Sequence, residues 1–303
     1  MDLHHNKELF EETVLLTGLY FGMDPSLIEK DYFVTLFLRE ARERVPGLIF
    51  KGGTSLSKCH HLIERFSEDI DLTLDNEHFV QSSKRTSIRI LIRVCEELGL
   101  VLRNRERIEK HTHANYNCYE IEYPVTFPSK TLRTELKAEM TYIQKCYPSE
   151  ELMASSYIGE YLAAIGKTNL AKDYGLQAFP IKTQTLERTF VDKVFAICDY
   201  FLSENKERNS RHIYDIAKLI SRIDLTKPEL KALIAEVRDD RKVHKNCLSA
   251  QEGVEVPRLL REIVQSDFYK NDYETITRRL LIKQASYEKV IKSLIFVADS
   301  GLF

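Results

Sequence analysis

Two short motifs, one helix length apart, constrain this chain more than any other feature. Phe50-Lys51-Gly52-Gly53-Thr54-Ser55-Leu56 closes the apolar run Gly47-Leu48-Ile49-Phe50, and Arg65-Phe66-Ser67-Glu68-Asp69-Ile70-Asp71-Leu72 follows it. The apolar run reads as a buried strand. Gly52 and Gly53 supply the positive φ and close backbone approach that turn it into a helix. Ile70, Leu72 and Leu74 then alternate with Asp69, Asp71 and Thr73, the period-2 pattern of a strand with one buried face. Strand, glycine turn, a helix of roughly two to three turns and a second strand make one compact unit.

Each motif has a plain reading and a chemical one. Gly52-Gly53 is either an ordinary strand-to-helix turn or a cradle whose free N–H groups and positive helix end face a phosphate, with the Thr54 and Ser55 hydroxyls beside it. Lys51 either neutralises phosphate charge or is solvated. Residues i and i+2 of a strand point to one side, so Asp69 and Asp71 present two carboxylates together. Alone, that is a solvated strand face. Two like charges this close nevertheless favour a cation between them, and hard oxygen ligands suit Mg²⁺, with Mn²⁺ as the alternative. A phosphate cradle followed by a two-carboxylate clamp points to nucleotidyl transfer from a nucleoside triphosphate.

The surrounding pattern predicts an α+β chain in two parts. Helices are predicted over Glu8–Phe21, from Asp24 (N-cap) and Pro25 (N1) through Leu38, and over Asn76–Leu98 before Gly99. The period then changes to two: Leu100–Glu106, Tyr116–Tyr123 and Leu132–Tyr142 read as strands, and Phe179–Thr183 as one more, confined to an edge by Pro180. Beyond Thr185 the spacing is helical over Leu186–Leu202, Arg211–Ile223, Pro228–Arg238, Pro257–Gln265 and Tyr273–Val297. A core spanning 1–183 and a helical C-terminal domain spanning 184–303 follow. Six scattered cysteines with no C-x-x-C pair argue against a zinc ribbon or disulfide framework and fit a reducing cytoplasm. Met1 is followed by polar Asp2, His4, His5 and Lys7, and the apolar stretch at Val290–Ala298 is too short to span a bilayer, so neither a secretory signal nor a membrane partner is expected. A net charge of −2 means that any nucleic-acid partner must use a local patch. Candidate basic clusters are Lys84/Arg85/Arg89/Arg93, Lys206/Arg208/Arg211, Arg241/Lys242/Lys245 and Arg278/Arg279/Lys283; each is either an RNA-backbone track or a solvated face. His60, His61, His111 and His113 lack zinc-ligand spacing.

Ile28-Glu29-Lys30-Asp31-Tyr32, together with the two opening motifs, resembles the AbiEii/AbiGii (MenT-like) nucleotidyltransferase toxin family of the polymerase-β-like nucleotidyltransferase superfamily. The likeness runs from about Ile28 to about Leu219. It implies a mixed-sheet nucleotidyltransferase core with a helical C-terminal portion, metal-dependent transfer of NMP from an NTP with release of pyrophosphate, and a separately encoded antitoxin in a toxin–antitoxin or phage-defence pair. MenT-like members transfer to a tRNA 3′ end, which implies an RNA acceptor here. Transfer to a protein or small molecule, or a non-enzymatic nucleotide- or RNA-binding role, are the alternatives. By the same likeness Glu139, in Leu136-Lys137-Ala138-Glu139-Met140, is a third metal carboxylate, with Glu135 on the same strand face as runner-up. Lys193, in Leu186-Glu187-Arg188-Thr189-Phe190-Val191-Asp192-Lys193, matches the family's functional lysine and would contact the triphosphate. Arg211-His212-Ile213-Tyr214-Asp215 resembles an R-D-x-Y-D stretch with His212 where aspartate is usual. Asp215 is then a base, a partner orienting Lys193, or a core acid paired with Arg211. Arg65 pairs either with a carboxylate or with phosphate, and Ser67 either steers the γ-phosphate or caps the turn.

Overall fold

The computed structural model describes residues 2–67, 69–75, 77–78, 80–112, 114–129, 132–142 and 146–303. Glu68, Asn76 and His113, named above, lie outside the described residues. The chain forms two compact units, Met1–His60 with Ser67–Thr183, and His61–Phe66 with Gln184–Phe303.

The first unit begins with helices α1 (Lys7–Phe21) and α2 (Pro25–Arg44). Asn6 and Asp24 cap them by accepting from the Leu9 and Ser26 amides, and Pro25 sits at N1 of α2, where its missing N–H costs nothing. Strand β1 (Leu48–Lys51), helix α3 (Gly52–Lys58) and strand β2 (Asp69–Leu74) follow. Then come α4 (Gln81–Glu97), β3 (Val101–Leu102), α5 (Arg105–Lys110), β4 (Tyr116–Glu122), β5 (Glu135–Thr141), β6 (Ser149–Ala154), α6 (Tyr157–Ala164), α7 (Thr168–Asp173) and β7 (Phe179–Gln184). The strands make one seven-stranded mixed sheet in the order β3-β4-β5-β2-β1-β7-β6. β2 runs antiparallel to β1 and parallel to β5. Phe50, Ile70, Leu72, Ala138 and Met140 are buried with Phe33, Phe37 and Leu38 of α2 and Leu91 and Val94 of α4 in one core. This is the mixed α/β fold that the alternating and helical patterns imply.

Several elements differ from the sequence expectation. Leu100–Glu106 is not one strand: pairing ends at Leu102, and the polar run Arg105–Lys110, with Ile108 its one buried side chain, winds into α5. β7 is not an edge strand, because β6 lies outside it. Its recorded pairing with β1 joins Thr183 to Phe50, three residues beyond Pro180, so the missing N–H falls away from that contact. Strand β6 and helices α6 and α7 were not marked by the sequence periodicity.

The second unit is helical: α8 (Leu186–Leu202), α9 (Arg211–Leu219), α10 (Pro228–Lys242), α11 (Val256–Gln265), α12 (Lys270–Asp272), α13 (Arg278–Leu280), α14 (Tyr287–Val290) and α15 (Lys292–Asp299). Its core holds Phe190, Val194, Ile213, Ile216, Leu260, Ile263 and Leu294. The single helix expected over Tyr273–Val297 is broken. A π-helical turn over Tyr273–Thr277 leads into α13, and Leu281 then turns extended and bridges Arg65. Phe66 N–H donates to Leu280 O and Ile282 N–H to Glu64 O, so the His61–Phe66 segment takes the backbone groups that a continuous helix would have used itself.

Candidate active site

In the first unit the sheet register assembles a row of charges. Lys51 of β1 pairs with Asp71 of β2, and Asp71 pairs with Glu139 of β5. Residues paired in register share a sheet face, so Lys51, Asp71 and Glu139 stand side by side. One row on, Asp69 pairs with Lys137, and Arg133 Nη1 approaches Asp69 Oδ1 at 3.6 Å. Glu135 is one row beyond Asp69's partner Lys137, opposite Glu122 of β4, so Glu139 rather than Glu135 stands beside the Asp69/Asp71 pair. Tyr116 hydrogen-bonds Glu139, and burial together with that carboxylate pushes the phenol pKa up.

Gly52 makes this arrangement possible. Its φ is +78°, and a Cβ there would lie 1.9 Å from Asp71 Oδ2. Any side chain at position 52 would occupy the space of the carboxylate. Gly52 therefore serves close approach between the α3 turn and an acidic group, whereas Gly53, expected to share that role, is not at positive φ; α3, at seven residues, contributes only a small macrodipole. Thr54 is fully buried, and its hydroxyl donates to Asp69 O. Ser67 Oγ lies 3.0 Å from Thr54 Oγ1. Ser55 Oγ returns to Gly52 O at 2.9 Å. The Thr54 hydroxyl thus fastens α3 to β2, while Ser55 bonds within the first turn of α3 itself.

Asp69, Asp71 and Glu139 offer the hard oxygen donors that a divalent cation prefers. Their oxygens do not all lie within 4.8 Å of one another; among the described residues Asp2, His4 and His5 form a group that close. Mutual repulsion between like charges holds carboxylates apart, and Arg133, Lys137 and Lys51 offset part of it.

The second unit contains a separate buried charge cluster. Arg65 grips Asp215 with two parallel bonds, Nε to Oδ1 and Nη2 to Oδ2, both 2.7 Å, while its Nη1 donates to Phe66 O. Lys193 Nζ reaches Asp215 Oδ2 at 2.7 Å. Asp215 is wholly inaccessible and Arg65 nearly so. Burial pushes the Asp215 carboxyl pKa up, but Arg65 and Lys193 outweigh it and hold the group well below the usual carboxylate range. Burial lowers the Lys193 pKa, with Asp215 opposing. Of the alternatives for Arg65, the structure shows the carboxylate. Asp215 is a core acid joined to both Arg65 and Lys193. His212 stacks on Tyr200 with ring centroids 5.6 Å apart, and its buried Nδ1 has no hydrogen-bond partner among the described residues.

A sequence profile of the family described as nucleotidyl transferase AbiEii toxin, type IV toxin–antitoxin system, matches residues 36–297. The chain belongs to this AbiEii family. The match takes in the glycine turn, the D-x-D strand, Glu139, Lys193 and Asp215, and it extends past Leu219, where the sequence likeness was placed, almost to the end of the helical unit. No curated protein matches the chain in sequence. Among the described residues, no helix of this AbiEii chain is long and apolar enough to cross a membrane.

The match begins after Glu29-Lys30-Asp31, and here the structure adds what sequence reasoning missed. Three consecutive charges inside a helix point about 100° apart, so a single solvent face cannot take all three. All three are buried. Glu29 accepts from the Thr126 and Phe127 amides at 2.7 and 2.9 Å. Lys30 Nζ donates to Arg133 O at 2.8 Å, beside the side chain that approaches Asp69. Asp31 pairs with Lys58 at the end of α3 and accepts from the Tyr157 amide at 2.9 Å. Lys58 also donates to Thr35 Oγ1 and Ser155 O. Helix α2 thus anchors the end of α3, before β2, and the chain just before β5. The signal was available in the sequence: an uninterrupted E-K-D within the mainly apolar stretch Leu27–Leu38 requires partners.

Proposed function

We propose that this AbiEii chain transfers a nucleoside monophosphate from an NTP to an RNA hydroxyl, releasing pyrophosphate, and that this arrests growth until its antitoxin counters it. The tRNA 3′ end is the acceptor suggested by likeness to MenT-like members. The observation that carries the reading is the coincidence at Gly52: a glycine whose missing side chain leaves room for Asp71, in register with Glu139 and two residues from Asp69.

In this reading Asp69, Asp71 and Glu139 hold Mg²⁺ or Mn²⁺. The cation would neutralise triphosphate charge and favour ionisation of the attacking hydroxyl. Gly52 and Gly53 let the phosphates approach the backbone, and Lys51 adds positive charge in the same row. Thr54 and Ser67 keep the turn seated on β2. Lys193 matches the family's functional lysine; Asp215, fixed by Arg65, sets its position and opposes the loss of charge that burial favours.

The test offers each labelled NTP in turn, with Mg²⁺ and with Mn²⁺, to total RNA, to protein and to small-molecule acceptors. Label should enter RNA with the parent, and Asp71→Asn should lower incorporation about 100-fold or more, the scale of losing several kcal/mol of charge stabilisation. Full activity in Asp71→Asn would remove the metal-clamp reading. Label entering only protein or a small molecule would remove the RNA acceptor.

A further inference from the structure

The second unit holds a cavity of about 610 Å³ that the reading above does not use. Three chain segments line it: the last turns of α9, the extended segment 283–285, and helices α14 and α15. Each segment brings lysine: Lys218 from α9, Lys283 from the extended segment, and Lys289 and Lys292 from the last helices. Among the described residues no acid lines the cavity. Glu64, just outside, pairs with Lys218 at 2.8 Å and Lys283 at 3.9 Å. Lys289 and Lys292 form no ion pair among the described residues. The positive charge is therefore in excess, and a ligand with more than one negative charge suits it.

The walls between the lysines are apolar and aromatic. Phe296 lines the cavity with 57% of its surface exposed, so its ring is open to a ligand there. Tyr214 also lines the cavity but is buried, with Lys218 Nζ 5.6 Å from its ring centroid. The volume falls within the roughly 300–1,000 Å³ of cavities that enclose a ligand of nucleotide size. An exposed aromatic ring flanked by ammonium groups is how proteins take single-stranded nucleic acid: a base stacks, phosphates meet point charges. The lining holds lysine and no arginine, which suits phosphate as a point-charge partner better than the paired carboxylate oxygens of an acidic peptide. Charge on every wall suits a strand that enters and leaves, rather than a free nucleotide with its charge at one end.

We infer that this cavity binds one or two nucleotides of a single-stranded RNA segment, with a base stacked on Phe296 and the flanking phosphates on Lys289 and Lys292. The inference rests on the reading of RNA as acceptor and gives that acceptor a docking site on the helical unit.

The experiment titrates the full-length protein against a fluorescent single-stranded RNA oligonucleotide across a range of salt, following anisotropy. The Lys289→Glu/Lys292→Glu double variant should bind at least 10-fold more weakly. Its log K against log[salt] slope should be shallower by about 1.4, from two phosphate contacts at about 0.7 each. Phe296→Ala should bind about 5-fold or more weakly with the slope unchanged, the signature of a lost stack. All three side chains point into an open cavity, so thermal midpoints close to the parent's are expected and serve as the folding control. RNA affinity and slope unchanged in both variants overturn the inference, as does a parent that binds no RNA. A labelled NTP or a poly-glutamate peptide that loses affinity in the variants while RNA does not overturns it in favour of that ligand. NMP incorporation, scored separately, distinguishes the two claims. RNA labelling that persists with unchanged RNA binding in the variants removes the cavity alone, whereas variant-sensitive RNA binding with no labelling of RNA removes the acceptor reading alone.

Discussion

Single residues hold the candidate chemistry within tight steric and electrostatic limits. At Gly52 the positive φ and the 1.9 Å separation of a hypothetical Cβ from Asp71 Oδ2 act together. Gly52→Ala should therefore lose about 1–3 kcal/mol in urea unfolding from backbone strain. It should lower NMP transfer further than that loss of stability explains, because Asp71 must move. His212 makes the opposite kind of prediction. Burial, then Lys193 and Arg211, push its pKa well below 6.5, with Asp215 opposing. The folded protein keeps the imidazole neutral, while the unfolded chain protonates it below about pH 6.5. The contribution to stability is thus complete above that pH and is lost as pH falls, at up to about 1.4 kcal/mol per pH unit, until the folded pKa is reached. Urea midpoints from pH 7.5 to 5 should fall less steeply in His212→Asn than in the parent; equal slopes would place the imidazole in solvent.

Between elements, the joints are buried ion pairs. Asp31 on α2 and Lys58 at the end of α3 are both nearly inaccessible and share Thr35, Ser155 O and the Tyr157 amide as further partners. Removing one charge strands the other in a low-dielectric site, so Asp31→Asn or Lys58→Met should each cost about 3–5 kcal/mol. Asp31→Leu/Lys58→Met together should cost less than the sum of the singles, and a double-mutant cycle in urea reads the difference. Sequence periodicity located β2, β4, β5 and α8 because each carries an alternation or a 3.6-residue stripe, while a continuous apolar run marked β1 and the glycine turn marked α3. It placed β7 at an edge because Pro180 argues for one, and it could not register β6, whose pattern of exposed and half-buried residues carries no clear alternation. It joined Tyr273–Val297 because apolar spacing continues across Leu281, whereas the backbone there is claimed by a segment more than two hundred residues earlier.

At the scale of the whole molecule the chain is not divided once. It leaves the first unit after His60, supplies His61–Phe66 to the helical unit, and returns at Ser67 directly before the D-x-D strand. That excursion brings Arg65 to Asp215 and the Glu64 and Phe66 backbone to Ile282 and Leu280. A fragment of residues 184–303 alone should therefore melt at a lower temperature than the same fragment joined by a flexible linker to residues 61–66. Without Arg65 the buried Asp215 carboxylate keeps only part of its compensation, and circular dichroism melting compares the two. Identical melting curves would mean that Lys193 alone suffices to hold Asp215.

The amino-acid sequence by itself determined the local units and one face of the candidate site. Gly52-Gly53 demands a turn, Asp69-x-Asp71 on an alternating run demands two carboxylates on one side, and both follow from short-range geometry. The tertiary structure alone decided that Asp71 stands next to Glu139 and that Thr54 is a fastener rather than an open hydroxyl. It also decided that Arg65, 150 positions from Asp215, grips its carboxylate. Strand register and ion pairing between distant positions depend on which surfaces meet when the core closes, and no local period records that.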